Sequence, residues 1–298
     1  MKKNTITHTN SIAPSELIVT DEGRIYHLDL LPEDIADTII VVGDQERVPL
    51  VSKHFDSIDT KINKREFYTH TGTKNGKRIT VLSTGIGCDN IDIVVNELDA
   101  LANIDLNTRL PKKEFKKLNI VRIGTSGALQ EDIPVDSTVI STHGLGFDGL
   151  LGFYDTSYDL DEIELQNQFL RQINWPKEAN QPYFVKGSTQ LINQLGKGMF
   201  HGITATANGF YGPQGRSLRL AAKVPQLNEE LNTFSFENKR ITNFEMETSA
   251  LYGLSAMLGH EACTVCAIIA NRFKKAYSKD YKKTVNELIV TTLDRLTS

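Results

Sequence analysis

Residues 119–127, Asn-Ile-Val-Arg-Ile-Gly-Thr-Ser-Gly, place an arginine inside an apolar strand that runs into a glycine-rich turn. Strand periodicity puts Arg122 on the opposite side from its neighbours Val121 and Ile123. A buried guanidinium needs an anionic partner, and an ion pair with a core carboxylate is the simplest one. Backbone N–H groups and hydroxyls of the turn could also cradle an anion, so phosphate is the competing partner.

Apolar strand-like runs that end in a turn recur along the chain. Five other apolar runs are rich in β-formers and end in glycine or a polar turn: residues 38–42, 79–82, 138–141, 203–207 and 263–270. Three amphipathic segments predict helices, at residues 90–101, 245–258 and from about 284 onward. Continuous apolar strands suit a sheet that is covered on both faces, and ligands bind at strand ends in such sheets. We therefore expect an α/β fold.

The composition narrows the class of protein. The chain has 298 residues, of which 40% are hydrophobic, with a net charge of −4 and three cysteines. No apolar run reaches the roughly 18 residues of a membrane span, and no apolar signal segment is seen. So few cysteines exclude a disulfide scaffold, and the slightly acidic balance gives no reason to expect nucleic acid. We expect a cytoplasmic enzyme without membrane or nucleic-acid partners, with an N-terminal arm at residues 1–25 and one domain at residues 26–298.

Two familiar motifs are interpreted here as structural. Residues 144–149 match G-x-G-x-x-G, but no helical pattern follows, so a glycine-rich loop is predicted instead of a dinucleotide site. Cys263 and Cys266 lie in an apolar strand without further ligands nearby, which indicates core packing and not zinc. The histidines show no metal-ligand spacing, so no metal site is predicted.

Other charged residues lie beside turns and suggest binding chemistry. Arg47, Arg65 and Arg216 each follow or precede a glycine or polar turn, as Arg122 does. Residues 245–247, Glu-Met-Glu, open a predicted amphipathic helix. The helix dipole explains one of these carboxylates, because negative charge is favoured in a first turn. Two carboxylates that flank a methionine could also bind a polyol.

Seven motifs occur in the order found in uridine phosphorylases, and on them the chain resembles the trimeric and hexameric nucleoside phosphorylase superfamily. They are Gly43-Asp-x-x-Arg47, Arg65-Glu-Phe67, Ser83-Thr-Gly-Ile-Gly87, Arg122-Ile-Gly-Thr-Ser-Gly127, Phe210-Tyr-x-x-Gln-Gly-Arg216, Glu245-Met-Glu-Thr-Ser249 and Asn271-Arg272. The resemblance implies a single-domain, three-layer phosphorylase/nucleosidase-like fold with a central mixed twisted β-sheet flanked by helices. It also implies phosphorolysis of uridine to uracil and ribose 1-phosphate in pyrimidine salvage. Inorganic phosphate would be the co-substrate, with no cofactor, in a homo-oligomer that is a dimer or a hexamer built from dimers.

The resemblance also implies three subsites. The phosphate-binding residues would be Gly43, Arg47, Arg122 and Thr125, with Arg65 from a neighbouring subunit. The ribose-binding residues would be Met246 and Glu247, with His27 from the partner chain. The base-binding residues would be Phe210, Gln214, Arg216, Ile269 and Arg272. The residues expected to act in catalysis are Arg122, Glu247 and Arg216.

Three other functions are weighed against this expectation. A purine nucleoside phosphorylase usually has aspartate after the strand that ends at Ala270, whereas this chain has Asn271. A nucleosidase that uses water would have no use for an arginine-lined anion pocket. A catalytically silent nucleoside-binding protein on the same scaffold remains the alternative from another functional class.

Overall fold

The computed structural model describes residues 1–3, 5–6 and 10–298, in which a mixed β-sheet is flanked by helices. The strands are β1 (Thr38–Val42), β2 (Ser57–Lys64), β3 (Phe67–Lys74), β4 (Lys77–Ser83), β5 (Ile104–Asp105), β6 (Leu110–Pro111), β7 (Asn119–Ala128), β8 (Thr138–Gly146), β9 (Tyr183–Lys186), β10 (Phe200–Thr206), β11 (Ser235–Phe236), β12 (Lys239–Glu245), β13 (Glu261–Asn271) and β14 (Ala276–Tyr277). The helices are α1 (Arg47–Ser52), α2 (Cys88–Asn103), α3 (Leu160–Gln172), α4 (Thr189–Leu195), α5 (Leu227–Thr233), α6 (Thr248–Leu258) and α7 (Tyr281–Thr297).

The main sheet runs in the order β11-β12-β10-β8-β13-β7-β1-β4-β3-β2, with β9 on β8 and β14 on β13. Strands β13, β7, β1 and β4 are mutually parallel, whereas β8 runs antiparallel to β13. Strands β5 and β6 form a separate small hairpin. The predicted α/β fold with a central mixed sheet is therefore confirmed.

One further pairing folds the sheet back on itself. Strand β12 pairs antiparallel with β7, with Asn243 opposite Ala128 and Phe244 opposite Gly127. This pairing closes β7, β13, β8, β10 and β12 into a ring. It brings the carboxyl end of β12, residue Glu245, beside the carboxyl end of β7.

Helices cover the sheet on both faces. Helices α6 and α7 both contact β13, and their buried residues belong to two different hydrophobic clusters. Val121 and Ile123 lie in the cluster with α7, so Arg122 projects toward the side of α6. Strand periodicity therefore predicted the face of Arg122 correctly.

The six predicted strands and three predicted helices are present, with altered ends. Residues 124–127 continue β7 and do not form a turn, because β7 keeps its pairing with β13 as far as Ala128. Strand β8 likewise extends through Gly144 and Gly146, and Gly149 is followed by a 3-10 turn, so the G-x-G-x-x-G match opens no helix. Helix α6 begins at Thr248, three residues later than predicted.

The described part of the arm contacts the domain. Leu17 and Ile25 are buried. The backbone N–H of Ile12 donates to the carbonyl of Arg109 at 2.9 Å, and the Arg109 guanidinium donates to the carbonyl of Leu17. Arm residues 4 and 7–9 lie outside the described residues. In the described part of the chain, no helix is long and apolar enough to cross a membrane.

Candidate active site

Arg122 lies in the middle of β7 and forms a buried ion pair with Glu247. Its Nη2 donates to Oε2 of Glu247, and its Nη1 lies 3.5 Å from Oε2 of Glu245. Burial acts to lower the pKa of Arg122, but the Glu247 and Glu245 carboxylates outweigh burial and raise it. The guanidinium therefore stays charged. Of the two partners that the sequence left open for Arg122, the structure shows the core carboxylates, those of Glu247 and Glu245.

The Arg122 side chain lies over Gly124. A Cβ built on Gly124 would be 1.8 Å from Nη1 of Arg122 and 3.1 Å from Sγ of Cys266, so only glycine fits. Nη1 of Arg122 donates to Sγ of Cys266 at 3.8 Å. Burial raises the pKa of the Cys266 thiol to about 12, so the thiol is protonated at neutral pH. Cys263 and Cys266 are both buried and free, as the core-packing interpretation predicted.

Glu247 immediately precedes α6 and is held by a second helix as well. Its Oε1 accepts a hydrogen bond of 2.9 Å from the backbone N–H of Gly87, which precedes α2. Helix N-termini favour negative charge because their first N–H groups lack internal partners. Arg122 and the N-terminus of α2 thus hold the Glu247 carboxylate from two sides.

Glu245 caps α6 from the end of β12. Its carboxylate accepts the backbone N–H groups of Glu247 and Thr248 at 3.0 to 3.1 Å and the Thr206 hydroxyl at 2.7 Å. Burial raises the pKa of Glu245, with Glu247 adding to the shift and Arg122 opposing it. The helix-dipole explanation thus applies to Glu245, while Glu247 faces Arg122.

The other residues predicted to bind phosphate surround the same end of the sheet. Gly43 follows β1, Arg47 begins α1, and Thr125 lies three residues after Arg122 on β7. Nη1 of Arg47 donates to the carbonyl of Ile123 at 3.2 Å. Burial and the charge of Arg122 lower the pKa of Arg47. The two guanidinium groups are thus close enough to repel each other, while Glu247 and Glu245 compensate the charge of Arg122.

Four of the residues predicted to bind the base contact one another. Nη1 of Arg216 donates to Oε1 of Gln214 at 2.6 Å and to the carbonyl of Phe210 at 2.5 Å, and its Cζ lies 3.7 Å from the centre of the Phe210 ring. Nη2 of Arg272 donates to the carbonyl of Gln214 at 3.1 Å. Ile269, half-buried on β13, lies three residues before Arg272.

Burial lowers the pKa of both Arg216 and Arg272. Burial and the nearby charge of Arg272 lower the pKa of Arg216 to about 10. Burial also lowers the pKa of Arg272. At neutral pH Arg216 remains charged, so it can donate to a ligand that gains negative charge.

His27 and Arg65 both lie against the Tyr26 ring, and the backbone carbonyl of Arg65 accepts a hydrogen bond of 2.5 Å from Nε2 of Gln45, between Gly43 and Arg47. Nδ1 of His27 lies 2.6 Å from Oε1 of Glu97 on α2. The His27 ring packs against Tyr26, with ring centres 4.8 Å apart, and Cζ of Arg65 lies 5.7 Å from the Tyr26 ring centre. Neither side chain has a described hydrogen bond or ion pair with Arg122 or Glu247.

Sequence reasoning missed two contributors. Glu245 was considered as one of two carboxylates that could bind a polyol but was not assigned to any of the three subsites, although its position beside Glu247 follows from the Glu-Met-Glu spacing. Gly87 contributes a backbone N–H, for which no side-chain pattern exists. Met246, between the carboxylates, is half-buried, and its carbonyl accepts from Sγ of Cys88 at 3.3 Å.

Known proteins resemble this chain in sequence and in fold. The model of the phosphorylase superfamily matches residues 37–295, and the chain belongs to this superfamily. The uridine phosphorylase of Thermococcus kodakarensis is 31% identical over 270 residues, which are 89% of this chain and 83% of the relative. The uridine phosphorylase of Haemophilus influenzae is 30% identical over 83% of this chain and 86% of its own.

More distant relatives include purine enzymes. The purine nucleoside phosphorylase of Vibrio cholerae is 23% identical over 90% of this chain and 96% of its own. Among solved structures, a Trypanosoma brucei nucleoside phosphorylase that shows uridine phosphorylase activity superimposes with a TM-score of 0.80. It is 31% identical and covers 93% of this chain and 99% of that one.

Proposed function

We propose that the protein is a uridine phosphorylase, which transfers the ribosyl group of uridine to inorganic phosphate. The products are uracil and ribose 1-phosphate, as pyrimidine salvage requires. Relatives named for this activity are 30% and 31% identical over more than four fifths of the chain. The purine relatives are 23–25% identical.

One observation carries the proposal: Nε of Arg122 and Nε of Arg272 are buried without a hydrogen-bond partner among the described residues. A buried donor that lacks an acceptor costs about 1 to 3 kcal/mol, so two of them are expensive. One lies beside the carboxylates and the glycine-rich part of β7, and the other beside Gln214. An anion at the first position and a carbonyl-bearing ring at the second would satisfy both.

The phosphate subsite of the proposal consists of Gly43, Arg47, Arg122 and Thr125, with Arg65 from a partner subunit. The attacking phosphate must be held by cations that do not neutralise it by giving up a proton. Arginine meets this requirement because it stays protonated and donates in a fixed fork. The mutual repulsion of Arg47 and Arg122 also falls when an anion lies between them, which favours phosphate further.

The ribose subsite consists of Met246 and Glu247, with His27 from the partner. Cleavage of the C1′–N1 bond gives the sugar oxocarbenium character while phosphate approaches C1′ from the opposite face. A carboxylate that accepts the ribose hydroxyls stabilises this positive charge. Because Glu247 is already fixed by Arg122 and Gly87, it would need little reorganisation when the charge develops.

The base subsite consists of Phe210, Gln214, Arg216, Ile269 and Arg272. When the C1′–N1 bond breaks, its electron pair leaves with uracil, which becomes anionic before N1 takes a proton from water. Arg216 and Gln214 can donate to the uracil carbonyl and imide groups as this charge grows. Interactions that strengthen in the transition state are those that raise the rate.

We also propose how the enzyme assembles, which residues form its catalytic domain, and in which compartment it acts. The active sites would be shared within a homo-oligomer, a dimer or a hexamer built from dimers, because His27 and the exposed Arg65 both lie against Tyr26 and neither has a described hydrogen bond or ion pair with Arg122 or Glu247. Residues 26–298 would form the catalytic domain and residues 1–25 the arm. The chemistry needs phosphate and no cofactor or metal. Three free buried cysteines suit the cytoplasm as compartment.

Release of free base from uridine and from inosine, each with and without phosphate, tests the proposal. Phosphate-dependent release of uracil with little hypoxanthine is the expected result. Release of hypoxanthine would overturn the assignment of Gln214, Arg216 and Arg272 while it retained the phosphate subsite. Release without phosphate would indicate a nucleosidase. No release, with a raised melting temperature in uridine and phosphate, would indicate a nucleoside-binding protein.

A further inference from the structure

The segment between β10 and α5 carries three of the residues proposed above to bind the base, yet little of it is buried. Between Ala207 and Leu227, where the structure describes every residue, Gln214 is the only buried one, at 3% exposed. Phe210 is 51% exposed and Leu220 is 87% exposed. A segment with so few buried contacts opens locally at a small cost in free energy. The position of its base-binding side chains therefore depends on what anchors Gln214.

Two side chains from outside the segment hold the backbone carbonyl of Gln214. Nη2 of Arg272, which follows β13, donates to it at 3.1 Å, and Nδ2 of Asn228, on α5, donates to it at 3.3 Å. Asn228 has to present Nδ2 at this contact, because its Oδ1 is an acceptor and would repel the carbonyl oxygen. Arg272 is itself proposed to bind the base. Asn228 is thus the anchor to which no part in binding has been assigned.

Helix α5 gives Asn228 a firm support. Leu227 and Leu231, before and after it on the helix, are buried in a hydrophobic cluster that includes residues of β10 and β12. Nδ2 of Asn232 donates to the carbonyl of Leu129, just beyond the end of β7, at 2.6 Å. Asn228 therefore connects the exposed segment to a helix that is packed on the sheet.

The contact between Asn228 and the segment makes demands on both partners. Gly215 has a φ of +68°, and a Cβ built there would be 3.0 Å from Nδ2 of Asn228. Oδ1 of Asn228 is buried without a hydrogen-bond partner among the described residues. A buried acceptor that lacks a donor lowers stability, which an apolar side chain at this position would not do. Stability of the fold thus does not account for this asparagine.

From these contacts we propose that Asn228 is a positioning residue for the base subsite. Its Nδ2 fixes the backbone of Gln214 and thereby directs the side chains of Gln214 and Arg216 at the base. Nη1 of Arg216 donates to Oε1 of Gln214, so a shift of the Gln214 backbone displaces both side chains. Groups that stabilise a developing charge lose their effect when they are displaced. The inference rests on the proposed function, because it assumes that these side chains bind uracil.

Steady-state phosphorolysis by two variants tests the proposal. Asn228→Ala removes the anchor, and Asn228→Asp keeps the shape of the side chain but places a carboxylate against the Gln214 carbonyl. We expect kcat/KM for uridine to fall about two- to tenfold in Asn228→Ala, as for the loss of one neutral hydrogen bond, and at least as far in Asn228→Asp. The KM for phosphate should not change. Glu229→Ala, at the next and exposed position of α5, is the control and should behave as the wild type.

A merely structural role for Asn228 predicts a different result. A variant that had only lost stability would have a lower activity in proportion to its folded fraction, with the affinities of the folded protein unchanged. We expect instead that calorimetry shows weaker binding of uracil by folded Asn228→Ala and unchanged binding of inorganic phosphate. Wild-type kinetics in Asn228→Asp, or unchanged uracil affinity in Asn228→Ala, would overturn the inference.

Gly215→Ala is an independent check, because its Cβ should push Asn228 away from Gln214. It should lower kcat/KM for uridine more in the wild-type background than in the Asn228→Ala background, where only the strain of the positive φ remains. Equal losses in both backgrounds would show that Gly215 acts without Asn228 and would overturn the inference.

Failure of this inference is distinguishable from failure of the proposed function. A wild-type protein that releases no uracil from uridine and phosphate would overturn the proposed function, and the role of Asn228 with it. An active wild type whose activity and uracil binding do not respond to the Asn228 variants would overturn the role of Asn228 alone.

Discussion

Arg122 and Glu247 form an ion pair between side chains that are 6% and 4% exposed, and 125 positions of sequence separate them. The pair joins the middle of β7 to the start of α6. Removing either member leaves a charge in a place that water does not reach. The residues with the largest proposed part in catalysis thus also hold the sheet and helix layers together.

Replacing Arg122 should impair stability and phosphate use together. Arg122→Ala leaves Glu245 and Glu247 buried without their cation, which should lower the free energy of unfolding by about 3 to 5 kcal/mol. Urea unfolding measures this loss, and the KM for phosphate measures the effect on binding. Arg122→Lys restores a charge without the planar fork, so it should recover stability better than phosphate affinity. Unaltered phosphate dependence in Arg122→Ala would refute the anion site.

Mixing subunits should reveal shared active sites. Arg65→Ala and Arg122→Ala proteins should each be inactive, because each lacks one arginine in every site. In a randomly mixed dimer each hybrid regains one intact site, so about a quarter of wild-type activity should return. Phosphorolysis by co-refolded subunits measures it. If both arginines acted within their own chain, mixing would restore nothing.

Arg216 should govern the choice of base. Arg216→Ala removes the donor that contacts Gln214 and stacks on Phe210. The kcat/KM for uridine should fall by about 10²- to 10³-fold, as for loss of one donor to a developing anion. Inosine cleavage should change less, so the uridine-to-inosine ratio should drop. Arg219→Ala, at an exposed arginine of the same segment, is the matched control, and an equal effect there would contradict the assignment.

Stability should decline in mild acid because of His143 on β8. Burial lowers the pKa of His143 to about 4, with Lys239 and Lys186 adding to the shift. Between pH 6.5 and 4 the unfolded chain binds the proton and the folded chain does not, so stability is full above 6.5 and decreases as the pH falls. By pH 5 about 2 kcal/mol should be lost through this residue.

The effect of His143 is isolated by a comparison with His143→Gln. The unfolding free energy of the wild type minus that of the variant should fall from pH 7.5 to pH 5, since only the wild type has the titrating histidine at this position. Urea unfolding at both pH values gives the difference. A difference that stays constant with pH would show that His143 does not carry the dependence.

Much of the fold could be predicted from local pattern. Apolar runs gave the strands, and alternation with Val121 and Ile123 gave the face of Arg122. The pairing of β12 with β7 has no local signal, because it depends on how the whole sheet curves. The sequence alone therefore could not identify the partner of Arg122, because it is this pairing that places Glu245 and Glu247 beside Arg122.

The candidate site, too, could be predicted only in part from the sequence. Side-chain chemistry and the family resemblance indicated the arginines and Glu247, whereas the backbone N–H of Gly87 has no signature beyond a glycine. The strand ends were misjudged at residues 124–127 because glycine usually weakens a strand. Here pairing with β13 continues the strand through both glycines, and at Gly124 the Arg122 guanidinium fills the space that a Cβ would occupy.

The place of β13 in the sheet has a consequence for synthesis of the protein. This strand lies between β7 and β8, although Arg122 of β7 precedes Cys266 of β13 by 144 positions. During synthesis, the strands on the two sides of β13, β8 and β7, therefore keep unpaired edges until almost the whole chain has left the ribosome. These two sides are the halves of the sheet. Unpaired edges are where strands of different molecules associate. A chain that stops before residue 261 would keep Arg122 and Glu247 but lack β13, so that only the short β12–β7 pairing would join the two halves. Such a chain should be a substrate for chaperones and proteases instead of a smaller enzyme.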